Sequence, residues 1–239
     1  MRNRQLQLML LWFVLICSAT PQTRGVRLDS SDWWSYIRQE ELRFMGQLIK
    51  WQNREPAESN FQISGLTLGR RWDFSEIRSK FGESSEVERG DAASGRDQIC
   101  YVSPSGNVHL IFELGEVNAV LYLFRGGAKW NGSDLCARSP VLSASISTAS
   151  GLKLGIAPEG VKNILGAPNI ETPSKLAYYF GFRKKATPED LSRLREENPS
   201  MSDTEFRQNF EYFDVENYIE ARFTSGKLTY LAISKSETY

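Results

Sequence analysis

Only one histidine occurs in the 239 residues, His109 in the stretch NVHLIFE, so any acid–base chemistry centred on imidazole has to pass through it. Strand alternation puts Val108, Leu110 and Phe112 on one face, with His109, Ile111 and Glu113 on the other. An internal repeat, described below, pairs His109 with Glu220 and predicts the outer, wetter face for both. That predicts a surface histidine and no catalytic one. No His/Cys cluster has metal-ligand spacing, so the expectation is no metal and no cofactor. GLKLGIAPEG (151–160) is glycine-rich but lacks the Gly-Lys-Ser/Thr ending and preceding strand of a phosphate loop. Glu83, Glu86, Glu88 and Asp91 sit among Arg89 and Arg96 as a mixed charged loop, without the spacing of a paired-carboxylate site. Arg89-Gly90-Asp91 matches an adhesion tripeptide, but such tripeptides are common by chance and a polar turn leading into a strand explains it.

The remaining reactive groups are cysteines. The first, Cys17, belongs to MRNRQLQLMLLWFVLICSATPQTRG, where Arg2 and Arg4 precede an apolar run from Leu8 to Cys17 and then small residues. This is the pattern of a secretory signal peptide, and Cys17-Ser18-Ala19 predicts cleavage after Ala19. The apolar run is too short to span about 30 Å of hydrocarbon comfortably as a helix. The alternative is an anchored or lipidated N-terminus, disfavoured by Ile16 before Cys17. Cleavage leaves Cys100 and Cys136, and an even count in an exported chain predicts a disulfide. It leaves 27 basic against 29 acidic residues. Such a balance gives no electrostatic reason to bind nucleic acid.

The elements that must position these residues are written twice. GLTLG (65–69) returns as GLKLG (151–155). Phe74, Ile77, Arg78 and Phe81 follow the first at helical spacing and end at Gly82; Val161, Ile164 and Leu165 follow the second and end at Gly166. FELGEVNAVLYLF (112–124) then matches FTSGKLTYLAISK (223–235), each two β-rich runs around a glycine turn. Upstream strands are expected at 98–103 and 176–182. Gly115 and Gly226 are expected in tight turns with positive φ.

The predicted fold is therefore α+β: two tandem units, each with helices packed on a three-stranded antiparallel sheet. Residues 61–140 form the first unit and 141–239 the second, after a signal peptide (1–19) and an N-terminal helix and linker (20–60). A helical insertion at 183–213 is expected, with Thr187-Pro188-Glu189-Asp190 starting one helix and Ser202 with Glu205 capping another. Its two readings are a solvated embellishment and a docking element. In the N-terminal segment, Trp34, Ile37, Phe44, Leu48 and Trp51 recur at three-to-four spacing between Ser31 or Asp32 and Pro56, the pattern of an amphipathic helix.

The order Gly-Leu-x-Leu-Gly, helix, Gly, strand, then Phe-x-x-Gly-Lys-Leu and a final strand resembles two related groups. These are the small envelope domains of the SmpA/OmlA (BamE-like) type and the tandem domains of the β-lactamase-inhibitory-protein type. It covers residues 61–125 and 150–235, and its short motifs are structural, so no contact residue carries over. The resemblance implies a non-enzymatic, protein-binding role in the bacterial envelope or outside the cell. A poor lipobox and the 183–213 insertion depart from it.

Aromatic residues gather on the expected strands, and runs such as AVLYLF are apolar on both faces, so the second sheet face is at least partly covered. Tyr122 and Tyr230 are the candidate partner-binding residues, as aromatic anchors on a sheet. The function expected is a non-enzymatic, exported protein-binding or envelope-scaffolding protein, periplasmic or extracellular. Its partner is an unidentified protein; membrane contact follows only from a retained or lipidated N-terminus. The alternative is a secreted hydrolase-like enzyme using surface carboxylates.

Overall fold

The computed structural model describes residues 51–69, 73–89, 96–115, 118–126 and 136–238. The expected signal peptide and most of the expected N-terminal helix lie outside them; Trp51 lies within. Among the described residues the strands begin with a short pair, β1 (Gln62–Ile63) and β2 (Leu66–Thr67). The first half continues with β3 (Glu86–Arg89), β4 (Arg96–Val102), β5 (Val108–Leu114), β6 (Asn118–Arg125) and β7 (Ala137–Arg138). The second half supplies β8 (Ile170–Thr172), β9 (Lys175–Lys185), β10 (Tyr212–Thr224) and β11 (Lys227–Thr238). The expectation of two units on separate three-stranded sheets does not hold. Instead one nine-stranded sheet runs through the described chain, in the order β3-β4-β5-β6-β11-β10-β9-β8 with β7 beside β4. All its neighbours are antiparallel except β4 and β7.

The join between β6 and β11 makes the difference. Residues 118–124 of β6 pair with 230–236 of β11, so Leu121 meets Ile233 and Tyr122 meets Ala232. Left apart, each strand would present an unpaired, two-sided apolar edge, an invitation to aggregate. Pairing them removes both edges. The short strands β3 and β8 extend the two halves outward, giving each a helix followed by four strands.

All four described α-helices lie on one face. Helix α1 (Phe74–Phe81) and helix α2 (Pro158–Leu165) bury Phe74, Ile77, Phe81, Val161 and Leu165 into a core with Ile99, Leu110, Phe112, Leu121, Phe180, Ile219 and Leu231. Each helix stops at a glycine with positive φ, Gly82 at 96° and Gly166 at 81°, whose N–H bonds the carbonyl four residues earlier. A side chain at such φ is strained, so glycine is the natural stop. Two strand tyrosines seal these stops: Tyr101 donates to the Gly82 carbonyl at 2.8 Å and Tyr178 to the Gly166 carbonyl at 3.3 Å. Burial pushes both phenols up to about 12, so they stay protonated donors. Arg78 to Glu86 and Lys162 to Glu171, both 2.9 Å, tie each helix to its half's outer strand.

The repeated pentapeptides occupy the seam above the sheet. The first spans the β1–β2 hairpin, turned by Ser64 and Gly65. The residues just before the second bond to the segment leading into the first, with Ala149 N–H on the Gln62 carbonyl and Ser150 N–H on the Ser59 carbonyl. Leu66, Leu68, Leu152 and Leu154 all enter the same core. The phrase is written twice because one core receives both copies.

The insertion forms α3 (Pro188–Glu197) and α4 (Asp203–Phe210). Thr187 and Asp190 make a reciprocal capping box. Ser202 caps the second helix, its hydroxyl accepting from Glu205 N–H at 3.3 Å. The pair encloses its own small core of Ala186, Leu194, Phe206, Phe213 and Val215, against the projecting ends of β9 and β10. Among the described residues no helix is long and apolar enough to cross a membrane.

Candidate functional site

The face of the sheet opposite the helices carries most of the chemistry-bearing side chains. Odd residues of β9 and even residues of β10 point to it, since their neighbours Tyr178, Phe180, Ile219 and Ala221 belong to the helix-side core. Its apolar part is a buried cluster of Ile111, Val120, Tyr122, Phe124, Tyr230 and Ala232, with Cys100 against it. On β10 the alternation Tyr218, Glu220, Arg222 adds a polar line. Glu220 is buried, accepts from the Tyr218 hydroxyl, and is paired with the Arg222 guanidinium, which in turn lies 4.7 Å over the Tyr230 ring. Tyr179 packs on Tyr218 with ring centroids 4.9 Å apart. Burial raises the phenols of Tyr179 and Tyr218 above their ordinary range, with the Glu220 charge adding to it. At the other end Gln98 donates to Glu113, both buried.

Tyr122 and Tyr230 are brought together on this face, with ring centroids 6.5 Å apart, though β6 and β11 are far apart in sequence. They are not exposed anchors: Tyr122 is 2% and Tyr230 4% exposed. The β6–β11 pairing puts them in the middle of the sheet. His109 departs from expectation in the same way. It does share the Glu220 face, but it is 1% exposed, stacked at 5.2 Å on Phe124, and next to Gly126, where any Cβ would collide with the imidazole. Burial lowers its pKa to about 4, so the ring is neutral at pH 7.

Cys100 and Cys136 are joined by a disulfide, with Cα atoms 4.6 Å apart, within the range such a bond spans. The bond fastens β4 to the start of β7, where Tyr101 pairs with Ala137. In the charged loop, Arg78 pairs with Glu86 at 2.9 Å and lies 3.9 Å from the exposed Glu83. Arg89 ends β3, while Gly90 and Asp91 lie outside the described residues. Gly155 gives its N–H to the Leu228 carbonyl, tying this part of the glycine-rich stretch to β11. Among the described residues no group of three or more His, Cys, Asp or Glu is placed to hold a metal.

Sequence reasoning alone misses the polar line Tyr218–Glu220–Arg222, although its signal stands in NYIEARF as polar residues at every second position. Chemically it is a clamped carboxylate, held between a phenol and a guanidinium. Toward the projecting end the same face opens. Tyr212 is 40% exposed under the Arg183 guanidinium at 5.2 Å, and Arg183 pairs with Asp214 at 3.4 Å. Glu216 is exposed beside them.

Compared with family models, curated proteins and solved structures, the chain matches none.

Proposed function

We propose that this is an exported, disulfide-stabilised protein that binds a partner protein and performs no catalysis. The leader-like N-terminus and the Cys100–Cys136 bond support an oxidising, non-cytosolic location, periplasmic or extracellular. The resemblance of its motifs to the inhibitory-protein and SmpA/OmlA types supports protein binding. The matched order of helix and strands in the two halves supports a duplication as the origin of the sheet.

The observation that carries the reading is the projecting end. There β9, β10, α3 and α4 form an ordered second core, yet leave Tyr212, Arg183, Asp214 and Glu216 open on a face that is buried elsewhere. An aromatic ring with an adjacent guanidinium and flanking carboxylates is the composition of an interface anchor with a polar rim. The central aromatics, being buried, give up that role to Tyr212. The test is capture by the purified mature chain from extract of its native envelope, compared with Tyr212→Ala and Arg183→Ala variants of unchanged thermal midpoint. The expected result is loss of the captured partner by about 1 kcal/mol or more in affinity. Equal capture by all three chains contradicts the surface, and hydrolytic turnover by the purified chain contradicts the function.

A further inference from the structure

The outer edge of β9 is occupied in steps. Gln52 gives its N–H to the Tyr179 carbonyl and accepts from Gly181 N–H, so the odd-numbered residues turn their backbone groups away from β10. The even-numbered ones turn toward it, and the series still holds at Ala186, whose N–H reaches the Glu211 carbonyl at 2.9 Å. Along this edge β8 pairs with Lys175–Ala177, and the Asn169 side chain takes the Tyr179 N–H at 2.8 Å. Gln52 then forms a one-residue parallel bridge opposite Phe180. The next outward groups are the N–H and carbonyl of Arg183 and of Lys185, and no described residue pairs with them.

Two features make this stretch a template for another strand. Its backbone is held in place beforehand: β10 pairs with it as far as Lys185, and Phe182 packs on the insertion's own core. A preorganised edge loses little freedom when something binds to it. Its charge is also one-sided, since Arg183, Lys184 and Lys185 are consecutive and all exposed. An added strand would lie about 4.8 Å from β9 and about 10 Å from β10. Its charges would meet these three cations well inside a Debye length of about 10 Å, and the carboxylates of Asp214 and Glu216 only at that limit. A second copy of the chain docking edge to edge would set the cations against one another, which is unfavourable.

We infer that the partner docks by strand addition, with an extended acidic segment of another protein pairing with β9 along residues 181–185. Main-chain hydrogen bonds to Arg183 and Lys185 continue the ladder that β8 and Gln52 begin. Acidic side chains at alternate positions of the added strand lie beside Arg183 and Lys185 on the open face. This rests on the proposed function and deepens it by naming the binding mode and the charge of the bound segment.

Hydrogen exchange of the full mature chain, followed by NMR, tests it with a blocked ten-residue peptide alternating Glu and Val as probe. At about ten times its Kd the peptide should slow the Arg183 and Lys185 amides about tenfold. The Phe182 and Lys184 amides, which already face β10, should not change. The same peptide N-methylated throughout keeps the charge, loses its strand donors and should slow neither amide. Lys185→Pro removes one outward N–H on an edge, where proline is tolerated, and should weaken peptide binding about tenfold or more. Lys185→Gln keeps that N–H and should weaken it about threefold at most. No slowing at millimolar peptide, equal slowing by the N-methylated peptide, or equal loss in the two variants overturns the inference. Unresponsive amides beside partner capture that still needs Tyr212 overturn strand addition and leave the proposed function standing. Slowed amides beside capture indifferent to Tyr212→Ala uphold strand addition and contradict the proposed anchor.

Discussion

His109 shows what burial does to a single titratable side chain. Unfolded, its imidazole titrates near 6.5; folded, near 4. Above pH 6.5 it is neutral in both states and costs nothing. As pH falls from 6.5 toward 4 the unfolded chain takes the proton first, so this residue's contribution to stability declines across that window and levels off below it. Discounted for screening by neighbouring polar groups, the loss should be about 2 kcal/mol. An NMR titration of the imidazole checks the cause directly, with a midpoint near 4 expected and one near 6.5 contradicting it. Gly226 makes the second residue-scale case. With Ser225 it forms the β10–β11 turn, and φ is 70° at Gly226 and 51° at Ser225. A two-residue turn with both positions left-handed suits the twist of the flanking strands. Gly226→Val should destabilise by about 1–3 kcal/mol in thermal or denaturant unfolding. The matching expectation for Gly115 does not hold, because its φ is not in the left-handed region and a Cβ would meet only the end of the Asn118 side chain. Gly115→Ala should therefore cost less, below about 1 kcal/mol. The sequence could place both glycines at turns, but the three-residue link at 115–117 and the two-residue link at 225–226 demand different backbones.

At the scale of elements, helix boundaries were the most legible feature. Thr187 and Ser202 cap, Pro188 opens, and Gly82 and Gly166 close. Each does so by a local rule that needs no tertiary knowledge. Strand alternation was legible too: Val108, Leu110 and Phe112 do face the helices. The edge strands were not, because Glu86–Arg89 and Ile170–Thr172 are too short and polar to show a period. The tyrosine seals on the helix stops join residues 19 and 12 positions apart and were likewise invisible in sequence. They make a paired prediction. Tyr101→Phe and Tyr178→Phe should each destabilise by about 1 kcal/mol, with the effects adding because the sites are in different halves. Denaturant midpoints of the two single variants and the double variant check it. The Tyr101 bond, at 2.8 Å, should matter at least as much as the Tyr178 bond at 3.3 Å, since hydrogen bonds weaken with length.

On the scale of the molecule, the sheet is where sequence reasoning stopped short. Repetition announced two halves, but which edges pair is a non-local choice, made here by β6 and β11 through seven residue pairs. The same choice decides the site, since it moves Tyr122 and Tyr230 from the rim of two small sheets to the centre of one large one. The two-sided apolar run AVLYLF carried the warning. The disulfide was legible because it followed from counting cysteines and needed no geometry. Replacing both Cys100 and Cys136 with serine should cost about 3–4 kcal/mol from the loop entropy regained by the unfolded chain. The unreduced native chain should show no free thiol at either position, and labelling of both would contradict the bond. The central claim is that an exported chain offers a partner the open end of this sheet and keeps its centre closed. Photo-crosslinking in the native cell tests it most directly, with the reactive amino acid placed at position 212 in one strain and at 230 in another. The expected result is a discrete adduct with another protein from position 212 and only same-chain products from position 230; an adduct with another protein from 230 and none from 212 would contradict the claim.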